Sequence, residues 1–186
     1  MRNYKCLKNR VFENSHYSLL PIRDEDKVSI MNWRNEQIDV LRQKEPLTLE
    51  KQDWYFKNVI SPLFEQSNPP QILWSFFKQN ELIGYGGLVH ISWEDKRGEV
   101  SFLLNPARIE DNHTYKEDFL NYLSLLSKAA FEDLSFNKIY TETFDIRDFH
   151  ISVLEEAGFL KEATLKRHWR INNQWVDSIF HCKFQK

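Results

Sequence analysis

One central stretch of this sequence, a predicted strand followed by a loop and a helix, could do chemistry. Residues 97–104, RGEVSFLL, form a predicted strand. From Tyr115 onward, apolar residues recur every three or four positions, which predicts a helix with one buried face. The loop opens onto the helix N-terminus, where free backbone N–H groups and the helix dipole attract anions. The unit is therefore either a phosphate site or, like most such units, purely structural.

The composition describes one ordinary domain. We interpret residues 1–186 as a single domain, with residues 1–16 as an N-terminal arm or short edge element. A net charge of −2 lacks the basic excess typical of nucleic-acid binding, so no nucleic acid is expected. No apolar run suggests a signal peptide or membrane span, and Cys6 and Cys182 lack metal-ligand spacing, as do the histidines. We expect a cytoplasmic protein with free thiols, no metal and no membrane contact.

The elements that must position such a site follow a recognisable order. The pattern predicts a strand at 17–22, helices at about 25–35 and 51–60 with Asp24 and Thr48 as N-caps, strands at 72–78 and 81–92, a strand at 138–144, a helix ending at Gly158, and a final hairpin turning at Asn172-Asn173. Pro62, Pro69 and Pro70 predict irregular structure between the early helices and the sheet. This order indicates an α/β (α+β) fold, a mixed central sheet with helices on both faces and a C-terminal β-hairpin.

Several segments resemble the GNAT superfamily of acyl-CoA-dependent N-acyltransferases over about residues 17–184. They are WRNEQI, LTLEKQDWYF, ELIGYGGL, GEVSF, the junction of AFEDL with NKIY, EEAGF and the closing hairpin with Asp177. The chain looks most like the branch that holds ribosomal-protein alanine, polyamine and amino-sugar acetyltransferases. That branch often pairs through its sheet edges, which leaves a homodimer open.

The resemblance implies acetyl-CoA or another short acyl-CoA as the cosubstrate, without a metal. Its pantetheine arm would enter a V-shaped opening between the strands at 97–104 and 138–144 and pair with the backbone at Phe102, Leu103 and Leu104. By the same resemblance, Asp145 and His150 lie on the cofactor side. Arg147 stands where the family frequently has Asn, and Leu154 stands where it often has the Tyr that protonates the thiolate.

The pyrophosphate motif of the family, Arg or Gln followed by two glycine-type positions, is missing. Thr114, Glu117 and Phe119 align with its three positions, and no glycine occurs between Gly98 and Gly158. Glycine lets backbone approach a phosphate closely. Either a loop of different shape, formed by Asn112, His113, Thr114, Tyr115 and Lys116, binds the phosphates, or CoA binding has been weakened or lost.

Acyl transfer to an amine needs a neutral nucleophile, a polarised thioester carbonyl and a fate for the leaving thiolate. The resemblance makes Glu99 the leading candidate for the base, because the aligned strand position is acidic in several family members. The alternative is a strand-edge carboxylate that faces solvent. His90 is a candidate proton relay through water, or simply a structural histidine.

For the acceptor, the resemblance implicates the two early helices as walls of the substrate site. They supply Trp33, Arg34, Trp54, Tyr55 and Phe56, and the terminal hairpin adds His168. Aromatic faces would stack on a base or sugar, and Arg34 would pair with a diphosphate. Alternatively, Trp33 and Trp54 pack helix against sheet, which we expect of at least one of them.

The first hypothesis is therefore an N-acyltransferase that acts on the amine of a nucleotide-linked deoxyamino sugar. The runner-up acceptor is a protein N-terminus or a polyamine. A non-catalytic binding module with this fold is the rival from another class, suggested by the missing glycines.

Overall fold

One eight-stranded sheet runs through the molecule in the order β1-β2-β3-β4-β5-β6-β8-β7. The structure is a computed structural model that describes residues 2–41 and 43–186. Two residues lie outside the described ones: Met1, in the predicted N-terminal arm, and Arg42, in the predicted connection between the early helices. The strands are β1 Phe12–Glu13, β2 Tyr17–Pro21, β3 Ile72–Lys78, β4 Glu81–Ser92, β5 Arg97–Leu104, β6 Lys138–Phe144, β7 Leu160–Ile171 and β8 Gln174–Phe184.

The helices cover both faces of this sheet. They are α1 Lys27–Glu36, α2 Leu49–Tyr55, α3 Ser61–Leu63, α4 Asn112–Lys128 and α5 Asp148–Glu156. The hydroxyl of Tyr85, on β4, accepts a hydrogen bond from Arg34 of α1. Tyr85 pairs with Leu103 on β5, so these two side chains lie on the same face of the sheet. The residue before Leu103 on β5, Phe102, stacks on Phe119 of α4. Because successive side chains of a strand point to opposite faces, α1 and α4 lie on opposite sides. The predicted fold class and element order are thereby confirmed, with β1 as an addition.

The gap between β5 and β6 is the feature that positions the site. These strands are parallel and pair only at Arg97↔Lys138, Gly98↔Ile139 and Glu99↔Tyr140. Beyond Glu99 the two strands pair no further, while β5 stays paired to β4 as far as Leu104. One edge of β5 therefore keeps unpaired backbone groups along the predicted opening.

Helix α4 begins earlier than the apolar pattern predicts. Its first residue is Asn112, because the Asp111 carboxylate accepts hydrogen bonds from the N–H (2.9 Å) and hydroxyl (2.6 Å) of Thr114. The predicted loop at 112–116 is therefore wrong, since these residues form the first turns of the helix. Glu117 and Phe119 lie deeper in it, and Phe119 is buried, so neither occupies the turn where the glycine motif would stand.

The early helices also differ in detail from the prediction. Thr48 caps α2 as predicted, but Asp24 makes no capping bond and instead begins a 3-10 turn ahead of α1. Asp26 is buried and binds Arg23 and Ser75. Pro62 does not end the helical segment: a π-helical turn, Phe56–Ile60, joins α2 to α3, where Pro62 needs no N–H partner.

The N-terminal arm is part of the core. The Tyr4 ring is fully buried and stacks on Phe64 at 4.1 Å, and its hydroxyl exchanges hydrogen bonds with the backbone of Leu73. At the other end of the chain, Gly158 follows α5 with φ +85°, as its left-handed position requires. No helix in the described part of the chain combines the length and apolarity that crossing a bilayer requires.

Candidate active site

A polar cleft of about 540 Å³ occupies the gap between β5 and β6. Ionisable side chains from five elements or their flanks reach it: Arg34, His90, Glu99, Glu142 and Arg147. Cleft walls also include Gln71, Val100, Ser101, Thr143 and Phe144. The arrangement brings acids and bases to the place where the unpaired backbone of β5 begins.

Glu99 faces this cleft and not bulk solvent. Its side chain is 13 % exposed, and its Oε2 lies 2.8 Å from Nδ1 of His90 on β4. His90 has a φ of +47°, and the β4–β5 register shifts between Val89 and Ser92, so a bulge directs the imidazole to the carboxylate. The two residues proposed for proton transfer are therefore in contact.

Glu142 is a cleft carboxylate that the sequence analysis did not single out. Its Oε1 accepts hydrogen bonds from Nε1 of Trp169 (2.7 Å) and Oγ of Ser178 (2.5 Å), and the side chain is 9 % exposed. His168, predicted to reach the acceptor, lines neither this cleft nor the apolar cavity beside it, although its Nε2 is 3.9 Å from this carboxylate. The alternation of β6 puts Glu142 on the face of Tyr140, but only the parallel pairing of Tyr140 with Glu99 reveals that this face borders the cleft.

A second cavity of about 410 Å³, mostly apolar, adjoins the cleft on the α1 and α2 side. Trp54 is 62 % exposed there, Phe56 is buried, and the hydroxyl of Tyr55 accepts a hydrogen bond from Gln71 (3.0 Å). Trp33 does not line this cavity. Its ring is buried in the core beneath α1, so its predicted place in the acceptor site is wrong and the packing alternative holds for it.

Arg34 stands where the two cavities meet and lines both. Its Nη1 donates to the hydroxyl of Tyr85 (2.7 Å) and its Nε to Oε1 of Gln43 (3.0 Å). Both partners are neutral, and no carboxylate pairs with Arg34 among the residues the structure describes. Neither hydrogen-bond partner therefore offsets its charge. Tyr85 and Gln43 were not predicted, because nothing local in the sequence links them to Arg34.

The unpaired edge of β5 offers backbone groups to an extended ligand. The Asn105 N–H donates to Ile83 of β4, so the Leu104 carbonyl on the same peptide points away from β4. Because alternate residues of a strand direct their N–H and C=O groups to the same side, those of Val100 and Phe102 also face the cleft. The Leu104 carbonyl accepts from Nε2 of Gln37 (2.8 Å). Leu103 faces its backbone toward β4 instead, which removes it from the predicted pairing set.

A groove of about 370 Å³ continues the cleft between the first turns of α4 and α5. Tyr115 and His150 meet in it, with the hydroxyl 2.6 Å from Nδ1 and the imidazole stacked on Phe119. Burial raises the pKa of Tyr115 to about 12. Burial, and then the charge of Arg147, holds the pKa of His150 well below its usual range, so the imidazole is neutral.

Besides the three β5 residues, which offer backbone groups only, three further predicted cofactor residues line none of these cavities. Lys116 forms an ion pair with Glu156, 2.7 Å away. The hydroxyl and N–H of Thr114 are both bound to Asp111. Asp145 is exposed, and its N–H donates to the carbonyl of Asp177. Asn112, Tyr115, Arg147 and His150 do line the groove.

Comparisons with known proteins agree with this architecture. The family profile described as "Acetyltransferase (GNAT) domain" matches residues 19–180. The spermidine N-acetyltransferase of Vibrio cholerae, solved with CoA and spermine, superposes with a TM-score of 0.77 at 18 % identity, over 92 % of this chain and 97 % of that one. The ribosomal-protein-S5-alanine acetyltransferase of Vibrio fischeri gives 0.73 at 18 % identity, over 96 % and 98 %. No curated protein matches by sequence.

Proposed function

Because the chain belongs to the GNAT acetyltransferases and is thus an acyl-CoA-dependent N-acetyltransferase, we propose that its acceptor is the amine of a nucleotide-linked deoxyamino sugar. The observation that carries this proposal is the pair of adjoining cavities joined at Arg34. One is apolar and bordered by aromatic rings, and the other holds the carboxylates. An acceptor that spans both has an aromatic body, an anionic middle and an amine at the far end.

The acceptor cavity supplies a specific contact for each of these parts. Trp54 offers an exposed ring for a base to stack on, at the mouth of the apolar cavity. Arg34 presents a guanidinium whose hydrogen-bond partners are both neutral, which suits a diphosphate. A polyamine would instead meet the positive charge of Arg34 in this cavity, where Lys51 is already paired with Glu45.

In the reaction, the backbone N–H groups of β5 that face the cleft polarise the thioester carbonyl. Glu99 accepts the proton that the acceptor amine loses as it attacks, and His90, 67 % exposed, passes it to solvent. Glu142 holds the ammonium form of the amine near the cleft before it is deprotonated. The acetyl–sulfur bond breaks as the new amide bond forms, and the departing thiolate takes a proton from solvent. The products are CoA and the N-acetylated sugar nucleotide.

A polyamine remains the second candidate, supported by the two carboxylates, Glu99 and Glu142, that line one cleft. It is also the ligand bound by the Vibrio cholerae neighbour. A cation with several amines needs several acidic partners, and this cleft supplies two.

The test is a thiol-release assay with acetyl-CoA and a matched set of acceptors. The set comprises an amino sugar linked to a nucleoside diphosphate, the same amino sugar without its nucleotide, spermidine and a peptide with N-terminal alanine. We expect the sugar nucleotide to have the highest kcat/KM, by tenfold or more over its nucleotide-free form. Spermidine or the peptide in first place would reject the proposed acceptor and leave the acetyltransferase assignment untouched.

A further inference from the structure

Arg147 joins the acyl-transfer cleft to the groove between α4 and α5. Among the described residues that line these two cavities, it is the one that lines both. It immediately precedes α5, makes no side-chain capping bond there, and is partly exposed. An acyl-CoA whose thioester lies in the cleft can lead its pantetheine arm past this junction into the groove.

The start of α4 is poorly suited to phosphates. The carboxylate of Asp111 occupies its cap position and takes the N–H and hydroxyl of Thr114. These bonds hold the pKa of Asp111 below its usual value, so the group is ionised at neutral pH. Glu110 precedes it. A phosphate placed here would meet negative charge and would lack the donor that Asp111 has taken.

The guanidinium of Arg147 has the opposite character. Within residues 2–41 and 43–186, no hydrogen bond or ion pair to its side chain is seen. Its charge reaches into the groove, where, after burial, it contributes to the lowered pKa of His150. The carboxylates that line the same two cavities are Asp148 in the groove and Glu99 and Glu142 in the cleft. Glu99 already contacts His90, and Glu142 is bound by Trp169 and Ser178.

We propose that Arg147 binds the pyrophosphate of the acyl-CoA, in place of the glycine-rich turn that this chain lacks. The phosphates would then lie on the α5 side of the groove and not at the backbone N–H groups of α4. This rests on the proposed function, since it takes acyl-CoA as the cosubstrate. A planar guanidinium can donate two parallel hydrogen bonds to phosphate oxygens, which an isolated backbone N–H cannot do.

Calorimetric titration with CoA and with pantetheine, which has the same thiol arm but neither the phosphates nor the adenosine, tests this proposal. We expect Arg147→Ala to weaken CoA binding roughly 10- to 100-fold while the affinity for pantetheine stays within about twofold of the wild-type value. Arg147→Lys keeps the charge but cannot donate two parallel hydrogen bonds, so its affinity for CoA should be intermediate. Arg170→Ala removes an exposed arginine from β7 and is the control for net charge. It should leave CoA binding unchanged.

The outcomes separate the proposal from its premise. An unchanged CoA affinity in Arg147→Ala, or equal weakening of CoA and pantetheine, overturns the role of Arg147. Tighter CoA binding in Asp111→Asn by tenfold or more also overturns it, because the phosphates would then lie at α4. If the wild-type protein binds pantetheine but prefers CoA by less than twofold, no phosphate site exists, and the role of Arg147 is rejected while acyl-CoA stays the cosubstrate. If it binds neither compound, both the role of Arg147 and acyl-CoA as the cosubstrate are rejected.

Discussion

Nδ1 of His90 and Oε2 of Glu99 lie 2.8 Å apart on adjacent strands at the mouth of the cleft. The contact depends on a bulge, because His90 has a left-handed φ of +47° between the paired residues Val89 and Ser92. Glu99 is shielded, whereas the His90 side chain is 67 % exposed. A carboxylate that faces the cleft thus contacts an imidazole that faces water, which is the order that proton transfer out of a cleft requires.

Replacing Glu99 by Gln tests its role as the base. Glutamine keeps the size of the side chain but cannot accept the amine proton, so kcat should fall by about 10²- to 10⁴-fold. CoA affinity, measured by calorimetry, should stay within twofold because Glu99 lines the cleft and not the groove proposed for the phosphates. An unchanged kcat in a thiol-release assay would remove Glu99 from proton transfer.

Glu142→Gln is the matched variant on the neighbouring strand. Trp169 and Ser178 donate charge-assisted hydrogen bonds to this carboxylate. Replacing it with a neutral amide weakens these bonds and should lower the free energy of unfolding by about 1–2 kcal/mol. We expect the KM for the acceptor to rise and kcat to stay within about tenfold of wild type. A loss of kcat as large as that of Glu99→Gln would assign the base to Glu142 instead.

Trp54→Ala tests the wall of the acceptor cavity. Because 62 % of this side chain is exposed, its removal should change the free energy of unfolding by less than about 0.5 kcal/mol. The KM for the acceptor should rise about tenfold, as expected when one stacking contact is lost, with the KM for acetyl-CoA unchanged. Trp175→Ala, on β8 and 63 % exposed, is the control and should alter neither KM. Equal rises for both substrates in Trp54→Ala would indicate a distorted fold.

The order of elements could be predicted because each element carries its own periodic pattern. The three- and four-residue spacing from Tyr115 locates α4, and Asn172-Asn173 locates the final turn, where both residues adopt positive φ. The start of α4 was missed because its first turn is polar. The apolar period shows only from Tyr115, whereas the cap is set by Asp111.

The site was harder to predict because its contacts join distant segments. Glu142 reaches the cleft only through the pairing of β6 with β5, and Arg34 is held by a tyrosine 51 residues away. Which tryptophan faces the acceptor cavity depends on how α1 and α2 rotate against the sheet. That packing buries Trp33 and exposes Trp54, although both stand in aromatic helical segments.

His150 should make the stability of the protein depend on pH. Burial holds its pKa in the folded state well below the ordinary 6.5, while the unfolded chain has the ordinary value. Below about pH 6.5 the unfolded state therefore binds a proton that the folded state does not, and the free energy of unfolding falls by up to about 1.4 kcal/mol per pH unit. Above that pH, His150 contributes no slope.

His150→Asn removes this titration while keeping a polar atom for the Tyr115 hydroxyl. Urea unfolding at pH 5, 6, 7 and 8 should show a shallower acid loss in this variant than in the wild-type protein, despite lower stability at pH 8. His16→Asn changes an exposed histidine and should retain the wild-type slope. If His150→Asn and wild type lose stability in parallel between pH 7 and 5, the imidazole titrates as freely in the folded protein as in the unfolded chain.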